Sequence, residues 1–448
     1  MSQDLPSRKE FLKQLSFITG TGLLAGSVPG VSFADSLNKR NFSANDRVRV
    51  GMIGVGSRGR YHTIVMNRIP QAEITSVCDN YPPYYERAKE LTDGKADAYW
   101  DYRELLEKDQ PDAVVIATPP HEHAQMTIDA LESGAHVLCE KNMANTVDRT
   151  LDMYEAHKKT GNKLLIGMQR RFDIKYLQAL KMIEEGFLSE ITQIRAWWHR
   201  NGDWRRSVPD KDFPDWELDP EYPSLEHKLN WRLYREYSRG LVTELGTHQL
   251  DVANWFLDTL PLSVRGTGSI NYWEDGREVY DNINLVYSYP KGVNVIYDSL
   301  ISNKHYSLEE QVMGPEGTLE MQDGKYYYEK PPPAPGILQL ISDIEDDLFG
   351  VTPLGGDSWN PQRAADTSGN YIVEEYPLPN RAVLQDEAFI ESVRQGEELP
   401  DAAENGVYAS VAVILGHEAM LQDKVIPWPE EKLAKRIDGY RIRPEFKS

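Results

Sequence analysis

The chain has 448 residues, 40% hydrophobic and 27% charged, a soluble globular balance with length enough for two domains. Its 49 basic against 70 acidic residues leave a net charge of −21, which argues against nucleic acid or an anionic lipid surface as a partner. Two cysteines, Cys78 and Cys139, exclude a disulfide scaffold and a cysteine-based zinc site, and no run of about 18 apolar residues follows the N-terminus.

In chain order, Ser7-Arg-Lys-Glu-Phe-Leu-Lys13 precedes a mildly apolar run from Leu15 to Val28 and the small-residue exit Ser32-Phe33-Ala34. A basic start, a short apolar core and a small-residue exit read as a secretory signal over residues 1–34, too short for an anchor. The order is similar to a twin-arginine signal, with Lys9 in place of the second arginine. The expectation is an exported, periplasmic protein.

From Asn45 the pattern alternates strand and helix. Val48–Ile53 reads as an apolar strand that runs into Gly54-Val-Gly56-Ser57-Arg58-Gly59, with a helix predicted from Arg60 to Arg68. Further strands are predicted at 74–79, 112–118, 136–139 and 163–167, and helices at 83–91, 101–108, 121–133 and 147–159. Nearly all-apolar strands separated by helices predict a doubly wound parallel sheet, an α/β Rossmann domain spanning 45–168. The Gly-x-Gly-x-x-Gly lies where a dinucleotide site requires it, between the first strand and the first helix. Gly54 permits the tight turn, Gly56 admits the pyrophosphate, Gly59 lets helix and strand pack, and the helix N-terminus offers free N–H groups. Asp79 ends the second strand, where a carboxylate binds the adenosine ribose and repels a 2′-phosphate, so NAD is favoured over NADP. Arg58 is the neighbour able to offset that choice.

Three further segments carry a family resemblance: Ala117-Thr-Pro-Pro-His-Glu-His123 followed by His136-Val-Leu-Cys-Glu140-Lys141-Asn142, then Gly167-Met-Gln-Arg-Arg-Phe-Asp173, then Gly240-Leu-Val-Thr-Glu244-Leu-Gly246-Thr-His248-Gln-Leu-Asp251. Together these resemble the Gfo/Idh/MocA oxidoreductases, the glucose–fructose oxidoreductase and inositol dehydrogenase superfamily, from about Val48 to Asp258 and again near 384–420. The resemblance implies a second α/β domain built on an open, mostly antiparallel sheet, assigned to 169–448, one face of which commonly joins subunits into a dimer or tetramer. Independently, residues 263–270, 282–289, 292–300, 309–314 and 317–329 read as short strands with Gly- or Pro-containing turns. Residues 330–380 read as an insertion and about 384–422 as closing helices.

The resemblance also implies roles. Lys141 matches the lysine of the family's Glu-Lys-Pro motif, which reaches the reacting hydroxyl, with Asn142 in place of the proline. His248 matches the general acid/base, and Glu244 replaces an aspartate one turn before it. Four residues apart, Glu244 and His248 are expected on one helical face; no third ligand accompanies them, so no metal is expected. Thr118 and Pro119 match a turn along the nicotinamide ribose, and Gln169 and Arg170 a segment beside the cofactor. Glu140 and His123 are further cofactor neighbours, His123 doubling as a helix cap.

Between 197 and 237 lie Trp197, Trp198, Trp204, Trp216, Trp231, Tyr222, Tyr234 and Tyr237, interleaved with arginines such as Arg205 and Arg232. Aromatic faces stack on sugar rings and arginine forks bind hydroxyls, which makes Trp204, Arg205, Tyr234 and His248 candidate substrate residues. Trp, Tyr and Arg are equally enriched in subunit contacts, and both readings stay open. The expectation is hydride transfer from a carbohydrate carbinol to NAD. Because dinucleotide is scarce outside the cytoplasm, an exported enzyme is expected to retain its cofactor and close its redox cycle. The alternatives are an NAD-dependent glycoside hydrolase acting by oxidation, elimination, hydration and reduction, and a non-catalytic sugar-binding protein.

Overall fold

The computed structural model describes residues 47–209, 222–329, 369–374, 377–396, 399 and 402–440. The segment 1–34 expected as a signal, most of the expected insertion 330–380 and Trp216 lie outside the described residues.

The first layer is β1 (Val48–Ile53), α1 (Ser57–Met66), β2 (Ala72–Cys78), α2 (Pro82–Leu91), β3 (Asp97–Tyr99), α3 (Tyr102–Lys108), β4 (Ala113–Ile116), α4 (Pro120–Glu132), β5 (His136–Cys139), α5 (Val147–Thr160) and β6 (Leu164–Ile166). The six strands are parallel in the order β3-β2-β1-β4-β5-β6. Every residue of β4 and β6 is buried, as strands covered by helices on both faces must be. Strand order reverses between β1 and β4, and such a switch point leaves a crevice at the strands' C-terminal ends. The first helix begins at Ser57, three residues before the predicted start, so its N-terminus lies within the glycine motif. A Cβ on Gly59 would lie 1.9 Å from the Gly54 carbonyl oxygen. Gly59→Ala is therefore expected to cost about 1–3 kcal/mol in urea unfolding through a forced separation of α1 from β1.

The second domain follows with α6 (Ile174–Glu184), β7 (Gln193–His199), α7 (Leu225–Leu229), α8 (Thr247–Leu257), β8 (Ser263–Ser269), β9 (Asn282–Ser288), β10 (Asn294–Leu300), β11 (Leu308–Gly314), β12 (Gly317–Glu320), β13 (Lys325–Tyr328), β14 (Asn370–Tyr371), α9 (Arg381–Gln395), α10 (Ala402–Gln422), β15 (Ile426–Pro427) and α11 (Glu430–Arg436). Nine strands form one sheet, β14-β13-β12-β11-β7-β10-β9-β8-β15, antiparallel except where β7 runs parallel to β10. The strand expectations change in several places: the segment 317–329 is two strands broken by a tight turn at Met321–Gly324, and β3, β7, β14 and β15 add to those expected. In β7 only Ile194 and Ala196 are fully buried, so its alternation is short and masked by Trp197 and Trp198.

The two closing helices occur as expected but serve both domains. On α9, Phe389 and Ile390 bury into the same core as Val50, Met52 and Val115 of the parallel sheet. On α10, small residues allow close approach at both ends. A Cβ on Gly406 would lie 2.4 Å from Ile166 of β6, and one on Gly416 would lie 2.3 Å from the Tyr287 hydroxyl of β9. Among the described residues no helix is long and apolar enough to cross a membrane.

Candidate active site

A cleft of about 1320 Å³ opens at the switch point and continues between the two domains. Its floor at one end is the glycine turn. Gly54 has φ +79°, and a Cβ there would lie 2.6 Å from Thr118, so only glycine fits. Gly56 caps α1 without any side-chain hydrogen bond, and no acidic residue occupies the helix's first turn. The first N–H groups of α1 therefore remain available to a phosphate, and the cradle fits a dinucleotide.

Asp79 stands just past β2 on the cleft wall. Its two carboxylate oxygens accept from the backbone N–H groups of Val55 and Tyr81, each at 2.9 Å, and burial pushes its pKa up to about 6. Arg58 is not beside it. Its Nε donates to Glu140 at 2.6 Å and its guanidinium lies over the Tyr61 ring, so Arg58 does not offset the carboxylate at the ribose. Asp79→Asn is expected to narrow the preference for NAD over NADP by about tenfold or more, because a like-charge repulsion is removed. Fluorescence titration of the apoprotein with both nucleotides measures the ratio, and an unchanged ratio would show that another group sets the choice.

At the other end of the cleft the second domain supplies the chemistry. Residues Val242–Gly246 form a π-helical turn that runs into α8, an irregularity frequent at functional sites. The turn changes the expected spacing, since an α-helical i, i+4 relation does not hold across it. Glu244 and His248 both border the cleft, yet the Glu244 carboxylate is engaged elsewhere, accepting from Arg232 Nε at 2.9 Å and from the Ser238 hydroxyl at 3.3 Å. The backbone carbonyl of Glu244 accepts from Lys141 Nζ at 2.5 Å. Lys141 thus points from the end of β5 across to the π turn, and burial lowers its pKa against the opposing pull of Glu244. His248 is buried, and its pKa is held well below the usual range by burial and by the positive charges of Arg170 and Lys141. Its imidazole is neutral near pH 7, with Nδ1 buried and lacking a partner among the described residues. A neutral imidazole beside a lysine on one cleft is suited to binding a substrate hydroxyl and exchanging its proton.

Behind Lys141 is a buried charged group that the sequence did not disclose. His62 of α1 is fully buried, with Nδ1 2.8 Å from Asp386 of α9 and Nε2 3.1 Å from Glu140. Glu140 also takes Arg58. Burial opposes its ionisation, but Arg58 and His62 hold it well below the normal carboxylate range. The same two carboxylates keep His62 above its ordinary pKa despite its burial. His62 and Asp386 are 324 positions apart, and no local spacing could pair them.

Of the residues expected at the site, Gly54, Gly56, Ser57, Arg58, Asp79, Thr118, Pro119, Glu140, Lys141, Gln169, Trp204, Glu244 and His248 border this one cleft. Five do not. Gly59 serves helix packing. His123, 1% exposed, joins the backbone carbonyls of Thr118 and Asn142, both at 2.8 Å, and so braces the turns around the cofactor. Arg170 is buried against Glu310 and Tyr176, acting on His248 only through its charge. Arg205 pairs with Glu226 and Asp275. Tyr234 donates to Glu226 and stacks on His227. Arg170 was expected here from the family resemblance and Arg205 and Tyr234 from residue type, and ion pairs and hydrogen bonds to carboxylates use the same types. Arg200, which no motif marked, also borders the cleft, as do Arg206, one of the arginines interleaved with the aromatics, and His121, expected like His123 as a cap or cofactor neighbour, its pKa pushed down to about 3 by burial. Among the described residues no three of His, Cys, Asp and Glu converge on a possible metal position.

A glycine-turn dinucleotide cradle, with a lysine at the end of β5 and a neutral histidine on α8 of the second domain bordering the same cleft, defines a two-domain, NAD-dependent oxidoreductase. The chain belongs to the Gfo/Idh/MocA family: the family model described as "Oxidoreductase family, NAD-binding Rossmann fold" matches residues 48–168, and the family's C-terminal domain matches residues 176–320. Among curated relatives, it is 25% identical over 281 residues to an inositol 2-dehydrogenase of Rubrobacter xylanophilus, covering 62% of this chain and 72% of that one. It is 27% identical over 256 residues to a glycosyl hydrolase family 109 protein of Shewanella pealeana, spanning 53% of this chain and 55% of the relative. Its fold superposes with TM-score 0.62 on an aldose-aldose oxidoreductase of Caulobacter crescentus, at 20% identity, over 85% of this chain and all of that one.

Proposed function

We propose that the protein oxidises a secondary carbinol of a carbohydrate with an NAD that it keeps, returns the hydride within the same cycle, and works outside the cytoplasm. The observation that supports this reading is that half-buried Lys141 and buried His248 both border the dinucleotide cleft, with Lys141 Nζ held by the Glu244 carbonyl. NAD, when bound, supplies the hydride acceptor. Lys141 Nζ, held at the π turn, binds the reacting hydroxyl, and neutral His248 takes its proton as the carbon becomes a ketone. In the reverse half-cycle His248 returns that proton. Glu244, fixed by Arg232 and Ser238, holds the turn from which both act. The signal-like N-terminus supports retention, because free dinucleotide is scarce where such a protein would work.

The family 109 relative favours a second reading, redox-assisted glycoside hydrolysis. Oxidation at one ring carbon acidifies the neighbouring C–H, the aglycone leaves by elimination, water adds, and the ketone is reduced back. No flanking carboxylate pair of the ordinary glycosidase kind is needed.

Mass spectrometry of small molecules released from the denatured protein tests retention: near-stoichiometric NAD is expected, and its absence would overturn the closed cycle. Aryl glycosides then separate the readings. Nitrophenol release without added cofactor assigns the hydrolase, whereas a keto-sugar accumulating with NADH assigns a net dehydrogenase. The same reading makes the protein a dimer or tetramer joined through the outer face of the nine-stranded sheet. There Trp197, Val286 and Ile296 are only partly covered and Tyr306 is 67% exposed. Light scattering measures that state.

A further inference from the structure

We propose that Arg206 is an interdomain clasp on the cofactor's pyrophosphate, the residue that makes the nucleotide slow to leave; the inference rests on the retained-cofactor reading above. Arg206 lies in the loop after β7, in the second domain, yet its side chain ends on the first. Its Nη1 donates to the Tyr84 hydroxyl of α2 at 3.1 Å, and its Nη2 donates to Ser57 Oγ at 3.4 Å, at the first residue of α1. The backbone is held for this purpose. The buried Asn230 accepts from Arg206 N–H at 2.6 Å and donates to its carbonyl at 3.1 Å.

Two features point to an anion between the guanidinium and the helix. The first is charge pairing. Arg58, Arg205 and Arg232 each hold a carboxylate, whereas Arg206 meets none among the described residues and touches two neutral hydroxyls. The second is position. A cation at a helix N-terminus opposes the helix dipole, and α1 has neither a side-chain cap nor an acidic residue in its first turn to relieve it. A doubly charged pyrophosphate seated on the Gly56 N–H side reverses both interactions, taking the helix N-terminus on one side and a planar guanidinium fork on the other. Arg206, Ser57, Tyr84 and Gly56 all border the same cleft. Because Arg206 arrives from the other domain, release of the nucleotide requires the clasp to open.

The test compares wild type, Arg206→Gln and Arg206→Lys, with equal thermal melts as the folding control. NADH dissociation is followed by stopped-flow nicotinamide fluorescence, and ADP-ribose and adenosine affinities by calorimetry. Arg206→Gln is expected to release NADH about 10- to 100-fold faster and to weaken ADP-ribose to a similar extent, since a charged hydrogen-bonding group is lost. Adenosine should be unaffected, and lysine should rescue in part. Wild-type dissociation and ADP-ribose affinity in the glutamine variant would overturn the clasp. If wild type itself releases NADH quickly, the retention reading fails instead, and the ADP-ribose comparison still decides the role of Arg206.

Discussion

A Lys141→Met variant is expected to keep its dinucleotide and lose turnover by about 100- to 10,000-fold, the usual contribution of a positioned proton-transfer group. Methionine preserves much of the stem's length and removes the ammonium, so the substrate hydroxyl loses its nearest charged partner and the Glu244 carbonyl loses its donor. That lost hydrogen bond, about 0.5–1.5 kcal/mol, is one a melt should register separately from catalysis. His248→Ala should give a comparable loss with a different signature. Because burial and two cations hold His248 well below the usual imidazole range, the native enzyme's kcat/KM should stay flat from neutral pH downward until well under pH 6.5 and then fall as the base protonates. In the alanine variant that acid limb should vanish. Measured with bound NAD confirmed spectroscopically, an active Lys141→Met enzyme would remove the lysine from the mechanism. An acid limb unchanged in His248→Ala would assign the titrating base elsewhere.

The largest effect on stability is expected at His62. Removing one member of a buried ionic group typically costs about 3–5 kcal/mol because its partners remain buried and uncompensated. His62→Ala would leave Asp386 buried without its cation, while Glu140 keeps Arg58. The sign of the pH dependence follows from its raised native pKa. The histidine's contribution is fully present below the unfolded value near 6.5, and it is lost as pH rises through the native pKa. Glu140 behaves oppositely: its depressed pKa gives a contribution present above the unfolded value near 4.5 and lost as pH falls through the native one. Urea unfolding of wild type should therefore weaken on the alkaline side of 6.5, and His62→Ala should flatten that decline. A variant as stable as wild type, with the same pH profile, would show that the group is not held together by charge.

Most of the parallel sheet could be read directly from the residues, because strands buried on both faces are written as unbroken apolar runs and its glycine turn has steric demands that few sequences meet. Lys141 and His248 were found through the motifs around them. What escaped was the chemistry that depends on distance along the chain. His62 looked like any residue of the first helix until Asp386 arrived from the last quarter of the sequence, and Arg206 looked like one more arginine among aromatics. The same limit applies to three expected residues that do not border the cleft. Arg170, Arg205 and Tyr234 carry site-like side chains, but which carboxylate each meets is settled by tertiary packing. Glu244 and His248 do border one cleft, but across a π turn that the expected α-helical period does not describe.

Phe389, Ile390 and Asp386 complete the first domain's core from a helix made after nearly the whole second domain. On the ribosome, the nucleotide-binding half therefore emerges early but stays unfinished until synthesis is almost over. A fragment ending near residue 168 is expected to be loose and prone to aggregate, however much it resembles a module. A firm nucleotide cradle is therefore expected only once the helix carrying Asp386, Phe389 and Ile390 has been made.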